Sequence, residues 1–181
     1  MTDEPEIVCD ECKYDYGSVA RDEITERLRG LGRRYTIPLS RGLKGEDLDA
    51  LVRTRTDDGT WSALEYACHV RDVLLVQEER VRGALEVDEY APEPMGREEL
   101  VTERRYNEQD PAAVAAELTA AADALATTLD GLDDAGWART MWYGYPILAL
   151  RDLDWVGRHT IHEGEHHLLD VGRALRHARG R

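Results

Sequence analysis

The chain has 181 residues and a formal net charge of −14, from 37 acidic against 23 basic side chains. That length suits one domain with a single sizeable core. The charge argues against a nucleic-acid surface, which needs a basic stripe, and against an anionic membrane. No apolar run approaches the roughly 20 residues of a spanning helix, and no basic start with an apolar core reads as a secretion signal. Three cysteines are too few for a disulfide scaffold, so the expected setting is the reducing cytoplasm. Only Lys13 and Lys44 are lysines and Phe is absent; Ala, Leu, Arg, Asp and Glu make a composition rich in helix formers.

Residues 1–17 are polar, with Pro5, Gly17 and a Cys9-x-x-Cys12 pair, and read as an extended or looped segment preceding a domain over 18–181. From Ser18, Val19, Ile24, Leu28, Leu31 and Tyr35 recur at helical spacing, with Pro38 marking the end. Residues 39–60 form a connection with a short turn at Glu46–Val52. The second long helix opens on Ser62 and Glu65, the two ends of a capping box, with Trp61 and Tyr66 placed for a hydrophobic staple. It runs to about Glu86. Its apolar residues spread nearly all round, leaving Glu65, Asp72 and Glu79 as a polar stripe.

Residues 87–110 hold two prolines and a glycine and read as a long loop with one turn of helix. Asp110-Pro111 is an N-cap followed by proline at the first helical position. Val114, Leu118, Ala121, Leu125 and Leu129 mark the buried face of the third long helix, which Gly131 ends. Residues 137–149 are aromatic and suit an extended stretch or hairpin. The fourth long helix spans about Asp152 to His177. Four long helices with polar loops imply an all-α fold, an antiparallel four-helix bundle with long connections.

Five of the six histidines fall between residues 159 and 177. In His162-Glu163-Gly164-Glu165-His166-His167, two i, i+4 pairs compete to hold an ion: His162 with His166, and Glu163 with His167. The apolar stripe of the helix runs through Leu153, Val156, Gly157, Ile161, Gly164, Leu168, Val171, Ala174 and Leu175. At 100° per residue, His167 lies roughly 50° and Glu163 roughly 90° from its centre, against roughly 170° for His162 and 150° for His166. Glu163 and His167 therefore flank the core. Trp155, His162, His166 and Leu169 face outward, towards a subunit contact, a covering loop or a second metal site. Asp170, roughly 110° from the centre, is placed to orient a ligand. His69, on the arc of Tyr66, Val73 and Val76, is the remaining histidine; alone it reads as a buried imidazole. With Glu163 and His167 it completes a His₂Glu set that leaves a coordination position open and suits Zn²⁺, Ni²⁺ or Fe²⁺.

These stretches carry a resemblance. Trp61-Ser62-Ala63-Leu64-Glu65-Tyr66-Ala67-Cys68-His69-Val70-Arg71-Asp72 resembles the second helix of the DinB-like (YfiT-like) metalloenzyme superfamily, and His162 to Asp170 resembles its last helix. The likeness covers about residues 18–178. It implies a four-helix bundle, often dimeric, holding a divalent metal with one histidine of the second helix and an i, i+4 pair of the last. Many members carry His-x-x-x-His there, which would select His162 and His166. The related mycothiol-dependent maleylpyruvate isomerases carry Glu-x-x-x-His followed by Asp, which Glu163, His167 and Asp170 match. The resemblance implies transfer or isomerisation with a low-molecular-weight thiol such as mycothiol or bacillithiol.

An open metal site would activate either a thiol or water. Asp170, Glu65 and Tyr143 are the candidate bases. Residues 87–110 and 137–146 would form the mouth, where Arg104, Arg105 and Tyr106 could meet an anionic ligand. Cys68 reads as a small buried hydrophobe. Cys9 and Cys12 could be half of a structural metal site, a redox pair or two free thiols. The reading that follows is a metal-dependent enzyme acting on a small molecule as a homodimer. A non-catalytic metal-binding or interaction protein and a metal-dependent hydrolase are the alternatives.

Overall fold

The computed structural model describes residues 8–144 and 147–180; Pro5, Tyr145 and Pro146 lie outside them. Four long helices carry the core: α1 (Ile24–Ser40), α3 (Ala63–Glu86), α5 (Pro111–Asp130) and α7 (Leu153–Ala178). Short helices α2 (Leu48–Arg53), α4 (Arg97–Glu103) and α6 (Asp134–Trp137) lie in the connections. A hairpin of β1 (Thr140–Tyr143) and β2 (Ala149–Asp152) pairs Thr140 with Asp152 and Tyr143 with Ala149.

Local chemistry sets most boundaries. Ser62 accepts from Glu65 N–H while the Glu65 carboxylate accepts from Ser62 N–H at 2.8 Å, so the capping box forms. The Trp61 and Tyr66 rings pack 5.5 Å apart as its staple. Asp110 accepts from the N–H groups of Ala112 and Ala113, Pro111 follows at the first helical position, and Asp152 caps α7 through Trp155 N–H. Each cap stabilises its helix by about 1 kcal/mol. The first helix departs from expectation. Two 3₁₀ turns, Tyr16–Ser18 and Arg21–Glu23, precede it, because Ala20 is extended (ψ 150°) and interrupts the helical backbone. Pro38 sits inside its last turn, and the helix persists to Ser40.

Residue pairs set the directions. Arg21 meets Asp154 and Arg34 meets Glu165, so α1 and α7 run side by side in the same direction. Arg71 meets Glu117 and Glu78 meets Thr128, so α3 and α5 also run parallel. His69 lies against His167, while Gln77 and His159 line one cavity, so α3 and α7 are antiparallel. Around the bundle the order is α1, α5, α3, α7. Parallel neighbours cannot be joined by a tight turn; the chain must return along the bundle. Residues 87–110 make that return between α3 and α5, and Tyr90 pairs with β1 on the way.

Close approach of α1 and α7 depends on glycine. A Cβ on Gly164 would lie 2.5 Å from Leu31 Cδ1, and one on Gly157 would lie 2.9 Å from Ile24 Cγ2. The Tyr35 hydroxyl donates to Gly164 O at 2.7 Å across the same seam.

Two expectations need correction. Glu65 and Asp72 are not a solvated stripe: each is 1% exposed. Residues 53–60 and 104–109 cover that side and supply partners. Arg55 binds Glu65, and Arg71, Arg104 and the Tyr106 hydroxyl bind Asp72. Second, α5 does reach the length and mean hydropathy (1.3) of a membrane span. Its alanines raise the mean although Glu117 and Asp123 interrupt any apolar run. It buries Val114, Leu118, Ala122, Leu125 and Leu129 against α1 and α3.

Candidate metal centre

The antiparallel pairing of α3 and α7 brings His69, Glu163 and His167 together. One ligand atom from each lies within 4.8 Å of the others. The His69 and His167 rings meet edge to face with centroids 4.9 Å apart, and His167 Nε2 lies 3.7 Å from Glu163 Oε2. Imidazole and carboxylate four residues apart share one helical face. The third donor comes from the first half of α3, whose burial the capping box and staple secure.

The surroundings orient these donors. His167 Nδ1 lies 3.0 Å from Asp170 Oδ2, and Arg173 binds the other oxygen of Asp170 at 2.9 Å. Burial opposes ionisation of Asp170, but its hydrogen bonds with His167 and Arg173 outweigh that and hold its pKa below the usual carboxylate range. A carboxylate accepting from Nδ1–H presents Nε2 towards Glu163. Tyr66 stacks on His167 at 5.4 Å, and Trp61 lies 5.1 Å from His69. Burial, helped by His167 and Arg97, pushes the His69 pKa down to about 3, so its imidazole is neutral. Among the described residues its buried Nδ1 has no hydrogen-bond partner.

A cavity of about 900 Å³ opens onto the cluster. Its walls include residues 91–97 of the return crossover and Trp142, Tyr143 and Leu148 of the hairpin, the two segments expected at the mouth. Arg80, Arg97 and Gln77 also face it. Gln77 donates to the Tyr143 hydroxyl, whose pKa burial raises to about 12. Other candidates are engaged elsewhere. Glu65 is held by its own cap and Arg55. Arg104 and Tyr106 serve Asp72, and Arg105 pairs with Glu108. Cys68 is buried as expected, and burial raises its thiol pKa to about 12.

The other face of α7 is covered. His162 and His166 lie beneath the N-terminal segment, and both also line the cavity beside Glu163 and His167. The Tyr16 hydroxyl sits 2.6 Å from His159 Nδ1 and 2.9 Å from His162 Nδ1, and Cys9 Sγ lies 3.7 Å from His166 Nδ1. His159, absent from the sequence-derived set, is buried against Trp155 and Tyr143 with Nε2 3.7 Å from Glu163 Oε1. Its i, i+4 spacing to Glu163 was the available signal. Tyr16 carried none.

A four-helix bundle whose second and fourth long helices converge on two imidazoles and a carboxylate defines a class of metal-site folds. The DinB superfamily profile matches residues 20–171, and the chain belongs to that superfamily. Among solved structures it is similar to YfiT from Bacillus subtilis, described as a probable metal-dependent hydrolase with an unusual four-helix bundle topology. The TM-score is 0.77 at 16% identity, covering 90% of this chain and 91% of YfiT. Among curated proteins none matches.

Proposed function

We propose that the chain is a metal-dependent enzyme in which His69, Glu163 and His167 hold one divalent cation at the cavity. The observation that carries this is the convergence of a His₂Glu donor set on a cavity large enough for a small-molecule substrate. The donors fit the role: three chain ligands leave a position open, and the buried Nδ1 of His69, which has no hydrogen-bond partner among the described residues, is unfavourable without one. Zinc suits this set best, and nickel or iron(II) accept it. Bound there, the cation supplies Lewis acidity and lowers the pKa of a nucleophile brought to it. The chain does the rest. Asp170 fixes the His167 tautomer, Tyr143 keeps its proton for a substrate oxygen, and Arg80 and Arg97 place positive charge on the wall.

In the first reading the nucleophile is a low-molecular-weight thiol such as mycothiol, attacking an electrophile in a transfer or isomerisation. Hydrolysis is the second reading, supported by the description of YfiT and by the use of His₂Glu in zinc hydrolases. Metal-loaded protein incubated with electrophiles and esters, with and without mycothiol, separates them. Thiol-dependent consumption supports transfer, thiol-independent consumption supports hydrolysis, and metal retention without turnover returns a non-catalytic metal-binding protein. A homodimer belongs to the same proposal. The exposed Trp142, Ile147, Leu148 and Leu150 of the hairpin supply an apolar face for it, and light scattering checks it.

A further inference from the structure

We propose that Cys9, Cys12, His162 and His166 form a second, structurally closed zinc site, separate from the His69 centre and independent of whether that centre is catalytic. One ligand atom from each of the four lies within 4.8 Å of the others. A tetrahedral zinc with bonds of about 2.3 Å to sulfur and 2.0–2.1 Å to nitrogen has a sulfur–nitrogen edge of about 3.6 Å. The Cys9 Sγ to His166 Nδ1 separation is 3.7 Å. Two thiolates and two imidazoles are the soft and borderline donors that select zinc over magnesium or calcium.

The imidazoles are set up to ligate. The Tyr16 hydroxyl occupies the Nδ1 side of His162, while its Nε2 is buried with no hydrogen-bond partner among the described residues. His162 is only 6% exposed, so that nitrogen has lost water without gaining a bond, which is unfavourable unless an ion completes it. One hydroxyl cannot donate to both rings. With His162 ligating through Nε2, its Nδ1–H donates to Tyr16, and Tyr16 donates to His159 Nδ1. His166 presents Nδ1 to Cys9, while its Nε2 lies 3.4 Å from Glu11 Oε2. Glu11 is in turn held by Arg173. A carboxylate behind a ligating histidine is the usual support of a metal site.

The cysteines are also presented by local backbone. Cys9 N–H donates to Tyr14 O and Lys13 N–H to Cys9 O, both at 2.8 Å. These bonds close the chain into a knuckle with both thiols free of a disulfide. Closing it puts Lys13 at φ +61°, a left-handed conformation that non-glycine residues adopt rarely. The site would join the knuckle to α7 and so fix Cys9, Asp10 and Glu11, which form one wall of the cavity.

Elemental analysis of zinc-loaded protein tests this. The expected contents are two zinc ions per chain in the wild type, one in C9S/C12S and one in H69A/H167A. Unchanged zinc in C9S/C12S overturns the proposal. Loss of the cysteines could also unfold the segment, so the cobalt-substituted wild type supplies an independent reading. A thiolate-to-cobalt charge-transfer absorption is expected there and should persist in H69A/H167A; its absence overturns the site. Zinc should also protect Cys9 and Cys12 from iodoacetamide until a chelator is added. Equal labelling with and without zinc, or a Cys9–Cys12 disulfide in zinc-loaded protein, has the same negative meaning. Failure of the His69 centre shows instead as loss of the other equivalent of metal, with the cobalt–thiolate band retained.

Discussion

At the scale of single residues, neighbouring positions on α7 serve opposite surroundings. His167 faces His69 across the bundle, while His166 faces Cys9 under the N-terminal segment. H167A is therefore expected to abolish metal binding at the His69 centre, and H166A to spare it. Zinc content of each variant in a C9S/C12S background reads this without interference; equal loss in both would overturn the assignment. D170N replaces the charged acceptor behind His167 with a neutral amide and should weaken metal affinity at that centre 10–100-fold, measured by competition with a chromophoric chelator. The buried histidines also set a pH dependence. Burial depresses His69 and His159 to about 3 and His162 to about 4, against an ordinary value near 6.5 in the unfolded chain. Below about pH 6.5 the unfolded state takes up protons that the folded state refuses. Stability of the metal-free protein should therefore fall as pH drops from 7 towards 4, by up to about 1.4 kcal/mol per pH unit for each such histidine. Denaturation of chelated protein across that range measures the slope, and H159Q should flatten it; an unchanged slope would contradict the account.

At the scale of elements, the seam between α1 and α7 places the ligand face. G164A would push a methyl into Leu31 and is expected to cost about 1–3 kcal/mol. G172A, on the same helix, meets only the far end of Arg176 at 3.6 Å. It should be neutral or stabilise by up to about 1 kcal/mol. Urea denaturation of the pair separates close packing from helix propensity. The same helix shows what a sequence discloses. Its apolar period sets Glu163 and His167 nearer the core stripe than His162 and His166, because every side chain advances by a fixed angle; the burial of His162 was not legible there, since it comes from the N-terminal segment that covers it. The capping box at Ser62 and the Asp110-Pro111 start are legible for the same reason: their chemistry is complete within four residues. The partners of Cys9 and Cys12 were not legible, since they lie some 150 positions away and no period connects them. The burial of Glu65 and Asp72 was hidden likewise, because their arginines come from connections whose paths are set by the whole fold.

At the scale of the molecule, a bundle with parallel neighbours must carry long crossovers, and here those crossovers build the cavity. Residues 91–97 and the hairpin line it from two sides and the N-terminal knuckle from a third. Removing metal should loosen the third wall first. Limited proteolysis between residues 8 and 20 is expected to quicken roughly tenfold or more in chelator and to slow again with zinc. Cleavage indifferent to zinc would show that Tyr14 and Tyr16, which reach Arg158 and the histidines through their hydroxyls, hold the segment alone.

The side chains at 162, 163, 166 and 167 stand as two interleaved i, i+4 pairs on one helix. A slip of α7 by a single position would turn the helix by about 100°, carrying an all-imidazole pair towards the bundle interior and a mixed pair away from it. Which chemistry the interior receives is thus decided by register alone. The two glycines that lock α7 against α1 hold that setting, much as a detent holds a dial.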